Sequence, residues 1–440
     1  MKNLKTISLA ALALLFVFGL SSCRKEGCTD PEATNYNSKA KKDDGSCVYD
    51  DEDHGEQTLS GEQTGCLEKG TYIVTGDIIV PEGETLCLKP GVILAFDGDG
   101  MTPETSPELR VHGELIADGT ASDPIYLTVV EDRRDPSNAF EGLWGGIQAS
   151  PSATAVVLRH VTVEYTGGPA SQSDLYDAGD PRYAIAFNNP QGVLIFDHST
   201  LRHIADDGIR PQGGARIAIT HSVFYNVGET GGEGINTKDG TVGDVCYNLF
   251  YGLATNGSKH SGEGDGVPQT NVHTYNNTFV NCGFRRVQAG RGGSTNYEGG
   301  AKGDIWNNIV VNCRFGTRFR GDKLPDIDNI NYGYHVYYAY DATDEDNFFP
   351  STDIDENGDR LTSPQEGDQI QVDPMFVNYN VSTDKMKAYP VNPDDFRLQS
   401  GSPALGAGKT DFSPVHASLS AGGVTVNIPA PSDFIGAYGN

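Results

Sequence analysis

From Cys66 onward the chain is filled by short runs in which apolar and polar residues alternate, each closed by a turn signal. In TYIVTGDIIVPEGETLCLKPGVILAF the alternation has a period of two and is broken by Pro-Glu-Gly and Lys-Pro-Gly. That pattern predicts strand, turn, strand, turn. LRVHGELIADGTASDPIYLT and LWGGIQ continue it, with further short strands separated by Gly and Asp.

Internal repetition says how these strands assemble. Aligning HVTVEY (from 160), HSTLRH (198), HSVFYN (221), YNLFYG (247), NNTFVN (276) and NNIVVN (307) superimposes a polar pair followed by alternating apolar residues. The spacings are 38, 23, 26, 29 and 31 residues. A solenoid coil needs about twenty residues, so each spacing is one coil plus a loop of variable length. The expected fold is all-β, a right-handed single-stranded parallel β-helix, with the hand set by the crossover rule. Coils would stack about 4.8 Å apart and align equivalent residues in ladders. Asn276, Asn277, Asn307 and Asn308 are then expected as corner amide ladders. His160, His198 and His221 share that register and read as corner residues rather than metal ligands. Cys282 and Cys313 each follow their reference Asn by five residues, so they should be stacked neighbours. A disulfide and a pair of buried thiols both fit. Cys246 is out of register and is expected to be free.

IVPEGETLCLKPGVIL, ELIADGTASDPIYLT and LWGGI resemble the opening coils of the pectate-lyase-like β-helix superfamily, over roughly residues 70 to 410. DPMF, DFRLQSGSPALGAG and DFIGAYG resemble its closing segments, which are expected to cap the open end of the helix. Between them, near 325–370, the Tyr- and Asp-rich stretch is expected to be an insertion, and the helix as a whole to occupy 66–440.

The N-terminus differs. Lys2 and Lys5 precede an uncharged apolar run from Ile7 to Leu20, and Leu-Ser-Ser-Cys ends at Cys23. This reads as a lipoprotein signal over 1–22, with lipidation at Cys23. The run is too short to span a bilayer comfortably, and acyl chains would supply the membrane hold. CTDPEATNYNSKAKKDDGSC resembles a short cysteine-bounded repeat found beside larger modules in secreted Gram-negative proteins. Residues 23–49 are therefore expected to form a small module and 50–65 an acidic linker. In an oxidising compartment Cys28 with Cys47, and Cys66 with Cys87, are expected as local disulfides. Net charge is -28, and -30 without Lys2 and Lys5, which argues against nucleic acid as a partner. The expected location is the cell envelope, as an outer-membrane lipoprotein.

Candidate chemistry falls into three groups. Asp207-Gly-Ile and Glu233-Gly-Ile both stand fifteen residues before their reference positions, so the two carboxylates should share one ladder. Asp265-Gly-Val stands twelve before its own. Adjacent rungs would suit a retaining and alternate rungs an inverting glycosidase, stacked carboxylates could also bind Ca²⁺, and plain turn chemistry fits as well. Asp206 with Asp207 resembles the paired aspartates of β-helical polygalacturonases, although the Gly-His-Gly and Arg-x-Lys motifs of that family are absent.

The second group is basic. Eight of the 32 Lys and Arg residues fall between Arg285 and Lys323, and Arg285, Arg286, Arg291 and Arg314 are candidates for an anionic glycan. FGTRFRGD resembles the chondroitinase-B and alginate-lyase group of β-helix lyases. That resemblance implies Lys302 as base, Arg318 or Arg320 as partner, and Ca²⁺ on the uronate carboxylate. The coil that would supply the calcium ligands reads GFRRVQAG instead. The third group, Asp353, Asp355, Asn357 and Asp359, has the alternating oxygen ligands of a calcium loop but no glutamate at the twelfth position. Tyr332, Tyr334, Tyr337, Tyr338 and Tyr340 could form a sugar-stacking platform or pack against the helix. The expected function is polysaccharide binding without catalysis. A Lys/Arg lyase and a protein-binding spine are the alternatives.

Overall fold

The computed structural model describes residues 25–31, 33, 35–47, 57–229, 231–262, 268–286, 292–321, 323–339, 348–350, 360–379 and 395–440. The chain divides into two compact units, Met1–His54 and Gly55–Asn440. Among the described residues no helix is long and apolar enough to cross a membrane. In the first unit Cys28 and Cys47 are disulfide-bonded, and Lys42 pairs with Glu26 at 2.6 Å.

The second unit is a right-handed parallel β-helix with three faces. The first face is a ladder of ten strands from Gly65–Leu67 to Ile330–Gly333. The second and third share the long strand Gly70–Val80, which turns the corner between them. Its first half pairs with Val92–Phe96 and its second half with Leu109–Val111. From there the second face climbs to Gln369–Ile370 and the third to Arg318–Phe319. On the second face Thr162 pairs with Thr200, Thr200 with Val223, Val223 with Leu249, Leu249 with Thr278 and Thr278 with Ile309. These are the five spacings read from the repeats.

From His160 onward, each coil turns from the first to the second face on a single left-handed residue. His160, His198, His221, Tyr247, Asn276, Asn307 and Tyr334 all have φ between 48° and 57°. Asn and His adopt this conformation more readily than most residues. The residue that follows points inward and bonds to the coil below. Ser199 Oγ accepts from Val161 N, Ser222 Oγ from Ser199 N, Asn248 Oδ1 from Ser222 N, Asn277 Oδ1 from Asn248 N, Asn308 Oδ1 from Asn277 N and His335 Nδ1 from Asn308 N. One continuous side-chain ladder thus satisfies a buried N–H at every coil. Inside, Phe224, Phe250 and Phe279 stack with centroids 4.8 Å apart at each step, the rung spacing itself. Burying each ring contributes on the order of 2–3 kcal/mol.

Cys66 and Cys87 are register partners on neighbouring strands and are disulfide-bonded. Cys282 and Cys313 also lie one coil apart, but no disulfide joins them. Like Cys246 they are buried thiols, and their S–H groups point at the carbonyls of Val280 and Val311.

Two expectations are corrected. The Tyr-rich stretch does not start as an insertion, because Ile330–Gly333 and Val336–Tyr338 continue the first and second ladders in register. Its tyrosines are scattered accordingly. Tyr337 is in the core, Tyr334 is a corner residue, and Tyr340 lies outside the described residues. The closing segment, expected as a cap on the open end, packs along the sides of the helix. The hairpin of Ser418–Ala421 and Val424–Asn427 lies along the outer side of the first face, with Leu419, Val424 and Val426 against Ile116, Val157 and Ile195. Strands AVVLR and VLIFD are apolar on both sides because both sides are covered. This strap is bonded to the corner column. Asn307 Nδ2 donates to Lys409 O and Lys409 N donates back to Asn307 Oδ1, while Asn276 Nδ2 donates to Phe434 O. Buried Asp244 accepts from the N–H groups of Val415 and His416.

Candidate functional site

The outward side of the third face carries one polar or charged group per coil. Register runs Asn236 to Lys259, Lys259 to Asn296, and Asn296 to Arg318, and Arg210 occupies the same column one coil before Asn236. Three residues earlier in each coil lie Asp207, Glu233 and Asn256. Two residues later on the last coils lie Glu298 and Arg320. The inward positions of these coils are polar as well. His260 bridges Thr237 and Thr274, whose hydroxyl also meets the hydroxyl of Tyr297. Hydrogen bonds thus replace aliphatic packing beneath this part of the face.

The charges are interlocked. Asp207 accepts from Glu233 N at 2.8 Å and Asn236 Nδ2 at 2.7 Å, with Arg210 Nη1 3.8 Å away. Lys259 Nζ stands 3.2 Å from Glu298 Oε1 and 3.9 Å from Glu233 Oε1, and Arg320 Nη1 is 3.5 Å from Glu298. Arg210 donates to Tyr183 OH and lies over that ring. Asp206 and Asp207 both fall in the turn before Ile209–Gln212, and both feel the charges of Glu233 and Arg210. Burial and the neighbouring Glu233 push Asp206 up to about 6, although Arg286 and Arg210 oppose the shift. The same causes raise Asp207 well above the usual carboxylate range. Burial and mutual repulsion thus favour the protonated form of both aspartates.

The row also presents unfilled acceptors. The side-chain oxygens of Asn236, Asn256 and Asn296 are buried and have no hydrogen-bond partner among the described residues. Each of these residues is at most 4% exposed. A buried amide oxygen without a donor costs on the order of 1–3 kcal/mol.

The residues singled out from sequence are placed unevenly. Asp207 and Glu233 stand on adjacent rungs. The rung after Glu233 is Asn256, since Asn256–Ser261 is the third-face strand of that coil, and Asp265 lies outside the described residues. Arg318 and Arg320 belong to the row. Lys302 does not, because it stands beyond the turn at 299–301 and opens the first-face strand, bridged to Asn271. The lysine of the row is Lys259, which sequence reasoning passed over. Arg286 lies beside Asp206. Arg285 is engaged with main chain, donating to the carbonyls of Val227, Gly228 and Gly252. Arg314 rests over the Phe315 ring. Arg291, Asp353, Asp355, Asn357 and Asp359 lie outside the described residues.

No family model matches the chain. A 24-residue stretch is 75% identical to ribulose bisphosphate carboxylase/oxygenase activase 1, chloroplastic, of Larrea tridentata. It covers 6% of this chain, and the chain spans only 5% of that protein's length. A match so short shows no family.

Proposed function

We propose that the chain is an envelope lipoprotein, anchored through Cys23, that binds polysaccharide along the third face of its β-helix. The observation that carries this reading is the row of Asn236, Asn256 and Asn296 on successive coils, whose buried amide oxygens have no partner among the described residues. They are interleaved with fixed cations and carboxylates, and a polymer of hydroxylated units offers donors at repeated intervals. Paired Arg and Lys groups on the last coils favour an acidic sugar. Membership of the pectate-lyase-like superfamily belongs to the same proposal, as does calcium as a loop ligand at 353–359.

The test is retention of the purified untagged chain by immobilised neutral and uronate-containing polysaccharides, with and without Ca²⁺. Retention that is lost in Asn236→Ala/Asn296→Ala supports the proposal. Failure of every glycan to retain the chain overturns it and favours a protein-binding spine. A second reading has its own support. Asp206, pushed up to about 6 beside Asp207 and Glu233, favours acid–base glycoside hydrolysis over elimination by Lys302, which stands outside the row. New reducing ends that disappear in Glu233→Gln would mark hydrolysis. Ultraviolet-absorbing unsaturated ends would mark a lyase.

A further inference from the structure

The corner column contains a second constellation, remote in kind from the third-face row. From Tyr247 onward the column serves the strap, through Tyr247 OH to Ala430 O and through Asn276 and Asn307 as described above. On the three preceding coils the residues are His160, His198 and His221. The rings of His198 and His221 stack at 4.5 Å, and their side chains keep 47% and 37% of their surface exposed. Asp197, the last first-face residue before His198, is buried. Its Oδ1 lies 2.8 Å from His198 Nδ1 and 3.7 Å from His221 Nδ1, and the three ligand atoms all fall within 4.8 Å of one another.

We propose that Asp197, His198 and His221 form a solvent-open binding site for a divalent transition-metal ion of the zinc class. Three features support it. His221 Nδ1 is buried and has no hydrogen-bond partner among the described residues, although it faces a carboxylate too far away to accept from it. An ion bound at about 2.0–2.1 Å from each ligand holds the donors roughly 3.3 Å apart, between the two oxygen–nitrogen separations observed. The carboxylate is already oriented, because Thr220 Oγ1 donates to Asp197 Oδ1 at 2.6 Å, the kind of outer contact that fixes a metal ligand. Two imidazoles and one carboxylate select zinc, copper or nickel over calcium or magnesium. Arg159, on the strand position paired with Asp197, is held by both oxygens of Asp118. Exposure of the two rings leaves the remaining coordination positions to water or to a ligand.

The fold supplies its own control substitution, since Asn occupies the same left-handed position at 276 and 307. The experiment is titration of the untagged full chain with ZnCl₂ in excess Mg²⁺, by calorimetry and by thermal unfolding. The wild type should take up one zinc per chain and unfold at a higher temperature with zinc present. His198→Asn/His221→Asn and Asp197→Asn should each weaken binding by at least about tenfold. A Cu²⁺-loaded wild-type chain should show coupling to two imidazole nitrogens in its electron paramagnetic resonance spectrum. Absence of zinc uptake by the wild type, or undiminished uptake by the folded double variant, would overturn the proposal.

Discussion

Asn277→Ala tests the corner ladder where its connections are densest. The Asn277 side chain accepts from Asn248 N at 3.0 Å and Asn248 Nδ2 at 3.1 Å, and donates to Val245 O at 2.9 Å. Truncation leaves the buried Asn248 N–H without a partner, at about 1–3 kcal/mol, and removes the net worth of the remaining bonds, about 1 kcal/mol. The expected loss is about 3 kcal/mol, far more than an exposed turn residue would cost. Asn277→Ser should recover part of it. Ser222, in the same column, accepts from Ser199 N through Oγ and donates to Thr220 O at 2.8 Å. The assay is urea unfolding by fluorescence, comparing midpoints at equal slopes. An alanine variant within 0.5 kcal/mol of wild type, or a serine variant no better than alanine, would refute the reasoning.

Other outcomes follow from the same contacts. Burial pushes Asp244 up to about 7, so the folded chain holds a proton that the unfolded chain releases near 3.9. Its contribution to stability is therefore full at low pH and falls as pH rises from about 4 to 7, a slope that Asp244→Asn should remove from the urea midpoint. Burial pushes His260 down to about 3. The unfolded histidine gains its proton first, stability falls as pH drops from about 6.5 toward 3, and His260→Gln should flatten that acid limb. Alkylation of the unreduced, denatured chain should label Cys246, Cys282 and Cys313 but not Cys28, Cys47, Cys66 or Cys87, as read by peptide mass spectrometry. Leu419→Asp buries a charge under the strap and should detach the hairpin, seen as protease cleavage between 405 and 430.

What was legible in the sequence was whatever repeats at the corner. The polar pair before each second-face strand recurs because a left-handed turn residue and an inward hydrogen-bonding residue are needed at every coil. The five spacings could therefore be aligned to the residue, and Asp207 placed opposite Glu233. Lys259 was not legible, because its neighbours Ser258 and His260 face inward and break the apolar alternation that marks a strand. Asp265-Gly-Val, alike in sequence to Asp207-Gly-Ile, lies outside the described residues, and Asn256 holds the rung after Glu233. The strap was hidden for a different reason. SLSAGGVTVN announces a hairpin, but only the apolar outer positions of AVVLR and VLIFD say where it docks. The partnerless oxygens of Asn236 and Asn296 arise from packing in three dimensions, and no spacing encodes them.

Every column invoked here requires residues 38 and 23 positions apart to be lateral neighbours. Thr162→Cys/Thr200→Cys places two partly exposed thiols on directly paired positions, at the roughly 4.8 Å strand spacing that falls within disulfide range. Mild oxidation should close that bridge rapidly. Thr162→Cys/Val223→Cys, two rungs or about 10 Å apart, should stay reduced. Bridging of the second pair, or failure of the first in a folded chain, would contradict the stacked register on which the site rests.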